Sequence, residues 1–93
     1  MPFLYEVMLD ANEPEYTMTQ HLVAPGTLVG TGQAIAMLSD GNMDFHLPAP
    51  QQGLLVAWFA ESGSTVSSKE AIARIVCEGT ETAVPAAIPQ RLG

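Results

Sequence analysis

The sequence predicts an all-β domain folded as a flattened barrel or sandwich with a pseudo-two-fold axis, and three observations carry that expectation. Turn signals come often: Pro25-Gly26, Gly30, Gly32, Gly41, Pro48, Pro50, Gly53, Gly63 and Gly79 leave apolar segments of four to eight residues between them, a spacing that suits short strands. No window carries an i, i+3, i+4, i+7 apolar stripe with a cap at one end and a glycine at the other, so helix is the weaker reading throughout. The chain also repeats itself. A shift of 37 places Gly26-Thr27-Leu28-Val29 on Gly63-Ser64-Thr65-Val66 and Gln33–Leu38 on Glu70–Ile75; it also sets Met18–Val23 on Leu55–Ala60, with His21 opposite Trp58. Two copies of a four-strand unit are too few for a stacked solenoid, but each can bury the apolar face the other leaves open.

The elements follow from these boundaries. Leu4–Leu9 opens the chain as a strand. Met18–Val23 ends at Pro25-Gly26, and a short extended piece surrounds Val29 before Gly30 and Gly32. Ala34–Ser39 and Met43–Leu47 flank Gly41, where Gly41-Asn42 suits a two-residue type II′ turn with glycine at positive φ. Leu54–Ala60 lies between Gly53 and Gly63, a second short piece surrounds Val66, and Ala71–Val76 closes the second copy. Residues 1–79 are expected to form the domain. Residues 80–93 have no alternation and two prolines, which reads as a linker or flexible tail.

Composition narrows the function classes. At 93 residues and 9.9 kDa the chain has room for one domain, and 47% hydrophobic against 14% charged residues calls for a packed core. Three basic and ten acidic residues give a net charge of −7. Lys69, Arg74 and Arg91 cannot line a phosphate-binding groove, so neither nucleic acid nor an anionic membrane is an expected partner. The longest apolar run, Leu54–Ala60, is far short of the roughly 20 residues that span a bilayer. The N-terminus lacks the form of a secretory signal and the lone Cys77 cannot form an internal disulfide, so a cytoplasmic setting is expected.

The hairpin from Ala34 to Gly53, with Leu47-Pro48-Ala49-Pro50 and a glycine three residues on, resembles that of the lipoyl and biotinyl carrier domains. So do Val7-Met8, Pro25–Gln33 and Ser62–Val66, in order along the chain. The resemblance covers roughly Tyr5 to Val76. It implies a barrel-sandwich hybrid of two four-stranded antiparallel sheets, with the attachment lysine for lipoate or biotin at the tip of the hairpin between the halves. Counting eight residues back from Pro50, as in that family, lands on Asn42 within Asp40-Gly41-Asn42-Met43. A side-chain amide is not nucleophilic and cannot take up an activated acyl group. No cofactor is therefore expected on this chain. Met43 echoes the biotinyl branch and Pro48-Ala49-Pro50-Gln51 suits either, so both branches stay open.

Other residues carry weaker chemistry. Lys69 is the sole lysine, but the 37-residue shift matches it to Gly32, away from the hairpin tip, and it reads as a solvated turn residue. Cys77 lies between Val76 and Glu78 with no cation to activate it, and reads as a buried strand-end thiol. His21 and His46 fall in separate strands without a carboxylate at ligand spacing, so no metal site is expected. Asp40, Asp44 and Glu61 read as acidic surface rather than catalytic carboxylates, since a barrel this small is filled by its own side chains. Gly26–Gly32 lacks the Lys-Ser/Thr of a phosphate loop. Met8, Met18, Met37, Trp58 and Phe59 read as core filling.

Three functions follow as expectations. The first is a lipoyl/biotinyl-like domain without its lysine, acting as a non-catalytic docking module related to 2-oxo acid dehydrogenase acyltransferase or biotin carboxyl carrier components. The second is a genuine swinging-arm carrier modified at an atypical site. The third is an unrelated structural β-barrel. The first is preferred, with dehydrogenase or carboxylase subunits as its expected partners.

Overall fold

The computed structural model describes residues 2–9, 15–67, 70–79 and 84–91. Nine strands appear among them: β1 (Phe3–Met8), β2 (Glu15–His21), β3 (Thr27–Val29), β4 (Ala34–Ser39), β5 (Asp44–Pro48), β6 (Gly53–Trp58), β7 (Thr65–Ser67), β8 (Ala71–Cys77) and β9 (Gln90–Arg91). They form a four-stranded sheet in the order β1-β8-β6-β3 and a five-stranded sheet in the order β7-β2-β4-β5-β9. All strand pairs are antiparallel.

Apart from β9, the second sheet repeats the first. Strand β5 answers to β1, β4 to β8, β2 to β6 and β7 to β3. The repeat extends to irregularities. In β2 against β4 the register slips between Met18 and Gln20, opposite Leu38 and Met37; in β6 against β8 it slips between Leu55 and Ala57, opposite Ile75 and Arg74. Each residue of the first set lies 37 before its counterpart. Bonds outside the ladders match too: Leu22 N–H donates to Ile35 O (2.9 Å) as Phe59 N–H does to Ile72 O (2.7 Å), and Gly26 N–H donates to Leu55 O (2.7 Å) as Gly63 N–H does to Met18 O (2.6 Å). A bulge adds twist to a strand, and matched bulges bend both sheets alike so that they close on one core.

That core contains Val7, Met18, Ile35, Leu38, Leu47, Leu55, Val66, Ile72 and Ile75, each at most 1% exposed. Burial alternates along β1 and β2, as expected for strands with one face inward. Tyr16 and Phe45 meet edge to face inside, their centroids 5.3 Å apart.

Three differences from the sequence expectation have physical reasons. The second sheet has five strands rather than four, because Arg91 pairs with Phe45 and Gln90 with His46. Backbone pairing at an edge needs no alternation of side chains, so the composition of this segment gave no strand signal. Nearby, Ala87 is buried and its N–H donates to Met8 O (2.7 Å). Strand β2 begins at Glu15 rather than Met18, because Glu15, Tyr16 and Thr17 pair with Ser67, Val66 and Thr65. Of the five residues expected to fill the core, Met18 is buried, Trp58 packs against it from a half-buried position and Met37 is half-buried outside it, while Phe59 and Met8 are 44% and 37% exposed. Met8 alternates outward from Val7, and Phe59 lies past the end of β6.

Candidate functional site

Strands β4 and β5 carry the candidate hairpin, and Ser39 opposite Asp44 is the last ladder pair before its tip. Gly41 has φ +99°, the left-handed region where glycine alone is unstrained. Closure comes from a side chain: Asp40 Oδ1 accepts both Asn42 N–H and Met43 N–H at 2.8 Å, and Ser39 Oγ accepts Gly41 N–H at 3.1 Å. The Asp40 N–H in turn donates to Met43 O at 3.2 Å. These amides, Met43's first and then Asn42's, hold the Asp40 carboxyl below its ordinary pKa, with a further contribution from the Arg91 charge. Asp40 is the clamp of the loop. Gly41, Asn42 and Met43 are exposed, and none of the four residues offers an amine.

The segment that joins the two halves is held from three sides. Tyr5 O–H donates to Gln51 O (2.7 Å), Cys77 S–H donates to Gln52 O (3.1 Å), and Gln52 N–H donates to Thr31 Oγ1 (2.9 Å). Burial pushes the Tyr5 hydroxyl up to about 12 and also raises the Cys77 thiol. Gly53 follows, where an added Cβ would lie 2.5 Å from Val76 O and 2.6 Å from Ile75 Cγ2. Only glycine lets β6 lie this close to β8, which is the physical reason for a glycine three residues after Pro50.

The remaining sequence candidates do not converge. Cys77 is buried at the end of β8. His21 lies on β2 and His46 on β5, and no three His, Cys, Asp or Glu side chains among the described residues are grouped to hold a metal ion. Asp44 is exposed on β5, and Glu61 is exposed just past β6. Lys69 lies outside the described residues. Among those residues no helix is long and apolar enough to cross a membrane. Sequence reasoning missed the carboxylate closure of the hairpin; the Asp-Gly-Asn run is compatible with it, because aspartate side chains bond to amides two residues on.

The family model described as "Biotin-requiring enzyme" matches residues 10–75. With the two-sheet fold, this places the chain in the biotin/lipoyl attachment domain family. Domains of that family bear biotin or lipoate and dock to partner subunits of carboxylase or dehydrogenase complexes, without being catalytic themselves. A search of curated proteins found no match.

Proposed function

We propose that this is a biotin/lipoyl-type domain that carries no prosthetic group and works as a protein-docking module, related to the acyltransferase components of 2-oxo acid dehydrogenases or to biotin carboxyl carriers. The observation that supports this is the hairpin tip. Asn42 takes the position of the family's lysine in a loop held by Asp40, and its carboxamide cannot accept an acyl group. A domain that keeps the fold without the amine retains the surface that partners recognise. Residues 1–79 form the body of the domain in this reading, with Ala87 packed on it and Gln90–Arg91 added as an edge strand, and the setting is cytoplasmic.

Co-expression with lipoate and biotin ligases tests the reading. The intact mass is expected to stay unchanged. A gain of one lipoyl or biotinyl group, located by peptide mapping, would overturn it and return the chain to the carriers.

A further inference from the structure

The outward side of the four-stranded sheet carries a row of aliphatic side chains, one from each strand. Leu4 lies opposite Val76, Val76 opposite Leu54, and Leu54 opposite Leu28. Leu28 is 75% exposed and Leu4 56%, while Leu54 and Val76 between them are half-buried. Leu28, Leu54 and Val76 also line a groove of about 590 Å³ together with Gln51, Gln52 and Glu78.

The internal symmetry provides a control for this row. Moving by 37 takes Val76 to Ser39, Leu54 to Thr17 and Leu28 to Thr65, and the residue that faces Ser39 from β5, as Leu4 faces Val76 from β1, is Asp44. Those four are paired in the same order across the other sheet: Asp44 with Ser39, Ser39 with Thr17, Thr17 with Thr65. Equivalent places in one fold are thus fully polar on one face and fully aliphatic on the other. The architecture does not require apolar side chains there. A scattered exposed leucine needs no explanation, but a contiguous row on a sheet face is the mark of an interaction surface.

Charge indicates what covers it. Among the described residues the cation on this face, Arg74, is tied to Glu6 at 3.2 Å, and Glu78 stands at the groove, so the described side chains of the face are net acidic on a chain of net charge −7. A second copy would bring the same negative charge onto it. We propose that the Leu4–Val76–Leu54–Leu28 row is the docking surface for a partner polypeptide that presents aliphatic side chains flanked by lysine or arginine. This rests on the docking reading above and names its surface; opposite charge speeds encounter and selects the partner, while the buried row holds it.

The test is an NMR titration of the full chain with a synthetic peptide of alternating leucine and lysine, repeated on a variant that grafts the polar row: Leu4→Asp, Leu28→Thr, Leu54→Thr and Val76→Ser. The expected result is saturable shifts centred on those four positions, and affinity at least about tenfold weaker for the graft, equivalent to about 1.4 kcal/mol. Attraction by charge alone predicts the reverse, because Leu4→Asp adds a negative charge. Equal or tighter binding to the graft would therefore overturn the proposal, as would absence of binding to the unaltered chain. If the fourfold variant does not fold, Leu28→Thr alone at the most exposed position is expected to weaken binding measurably, and no change there would overturn the proposal. Shifts confined to Asp40–Met43 would keep the docking reading and reject this surface, whereas modification of the unaltered chain, read separately by mass, would reject the docking reading itself. Sedimentation as a dimer that the graft abolishes would assign the row to a second copy and overturn the choice of partner.

Discussion

His21 and Trp58 stack face to face, their ring centroids 4.1 Å apart and their planes 10° from parallel. Each ring also bonds to the carbonyl two residues beyond the other: His21 Nε2 to Ala60 O at 2.7 Å, and Trp58 Nε1 to Val23 O at 3.0 Å. A carbonyl only accepts, so His21 Nε2 is the donor. The two residues are 37 apart, as are Val23 and Ala60, so the pair lies across the pseudo-two-fold axis and joins the two halves where β2 and β6 end.

That geometry predicts coupling. Trp58→Phe and His21→Phe each keep an aromatic ring and remove a hydrogen bond, a loss of about 1–2 kcal/mol with some ring contact. A double-mutant cycle is expected to show an interaction of at least about 0.5 kcal/mol, because the side chains touch. Urea unfolding followed by circular dichroism measures it, since Trp58 is the sole tryptophan. Strict additivity would mean that the two reciprocal bonds are energetically independent.

Much of this was legible in the sequence, because the repeat is a repeat of turns and alternation. The eight strands of the two sheets, the positive φ at Gly41 and the alignment of His21 with Trp58 all follow from positions of glycine and apolar residues. The reciprocal bonds were not legible, since they depend on how closely two sheets approach. Strand β9 was not legible either: Gln90 and Arg91 are held by backbone pairing to β5, and both are exposed. The aliphatic row needed the register, because Leu4, Leu28, Leu54 and Val76 are scattered along the chain and meet only across ladders.

Two glycines separate two kinds of cost. At Gly53 an added methyl meets the Val76 carbonyl and the Ile75 side chain, so Gly53→Ala must push β6 from β8 and is expected to lose about 3 kcal/mol. At Gly41 nothing lies within 4 Å of the added Cβ, and Gly41→Ala carries only the left-handed backbone penalty of about 1–2 kcal/mol. Denaturation midpoints rank the two, and the opposite order would contradict the close-approach argument.

The Asp40 clamp has a signature in acid. Its folded pKa is lowered from 3.8 by the Met43 and Asn42 amides, so the stabilisation is present above that ordinary value and lost as pH falls through the lower folded one. The amide proton shifts of Asn42 and Met43 are expected to titrate together with a midpoint below 3.8, and Asp40→Asn should abolish the transition. A midpoint at or above 3.8 would show that the carboxylate is not held by these amides.

Alkali acts on the opposite side of the molecule's pH range. Tyr5 is raised from 10.0 to about 12, chiefly by burial, so its neutral form belongs to the fold and the unfolded chain releases the proton first. The Tyr5 contribution to stability is therefore fully present below pH 10 and falls as pH rises towards about 12. Tyr5→Phe should flatten this decline, although it loses the bond to Gln51 O. Denaturant midpoints across that window give the answer, and an equally steep decline in the variant would assign it to other groups.

If this hairpin is a carrier hairpin without its amine, restoring the amine restores modification. Asn42 is exposed, where substitutions usually change stability by no more than about 0.5 kcal/mol, so Asn42→Lys is expected to fold. The measurement is intact mass after co-expression with lipoate and biotin ligases, for the unaltered chain, Asn42→Lys, Gly41→Asp with Asn42→Lys, and Gly41→Met with Asn42→Lys. No gain is expected for the unaltered chain and slow gain for Asn42→Lys. The Asp variant is expected to take lipoate faster, or the Met variant biotin, despite the strain of a side chain at φ +99°. Folded variants of unchanged circular dichroism, none of which gains mass from either ligase, would contradict the assignment of Asn42 to the attachment position.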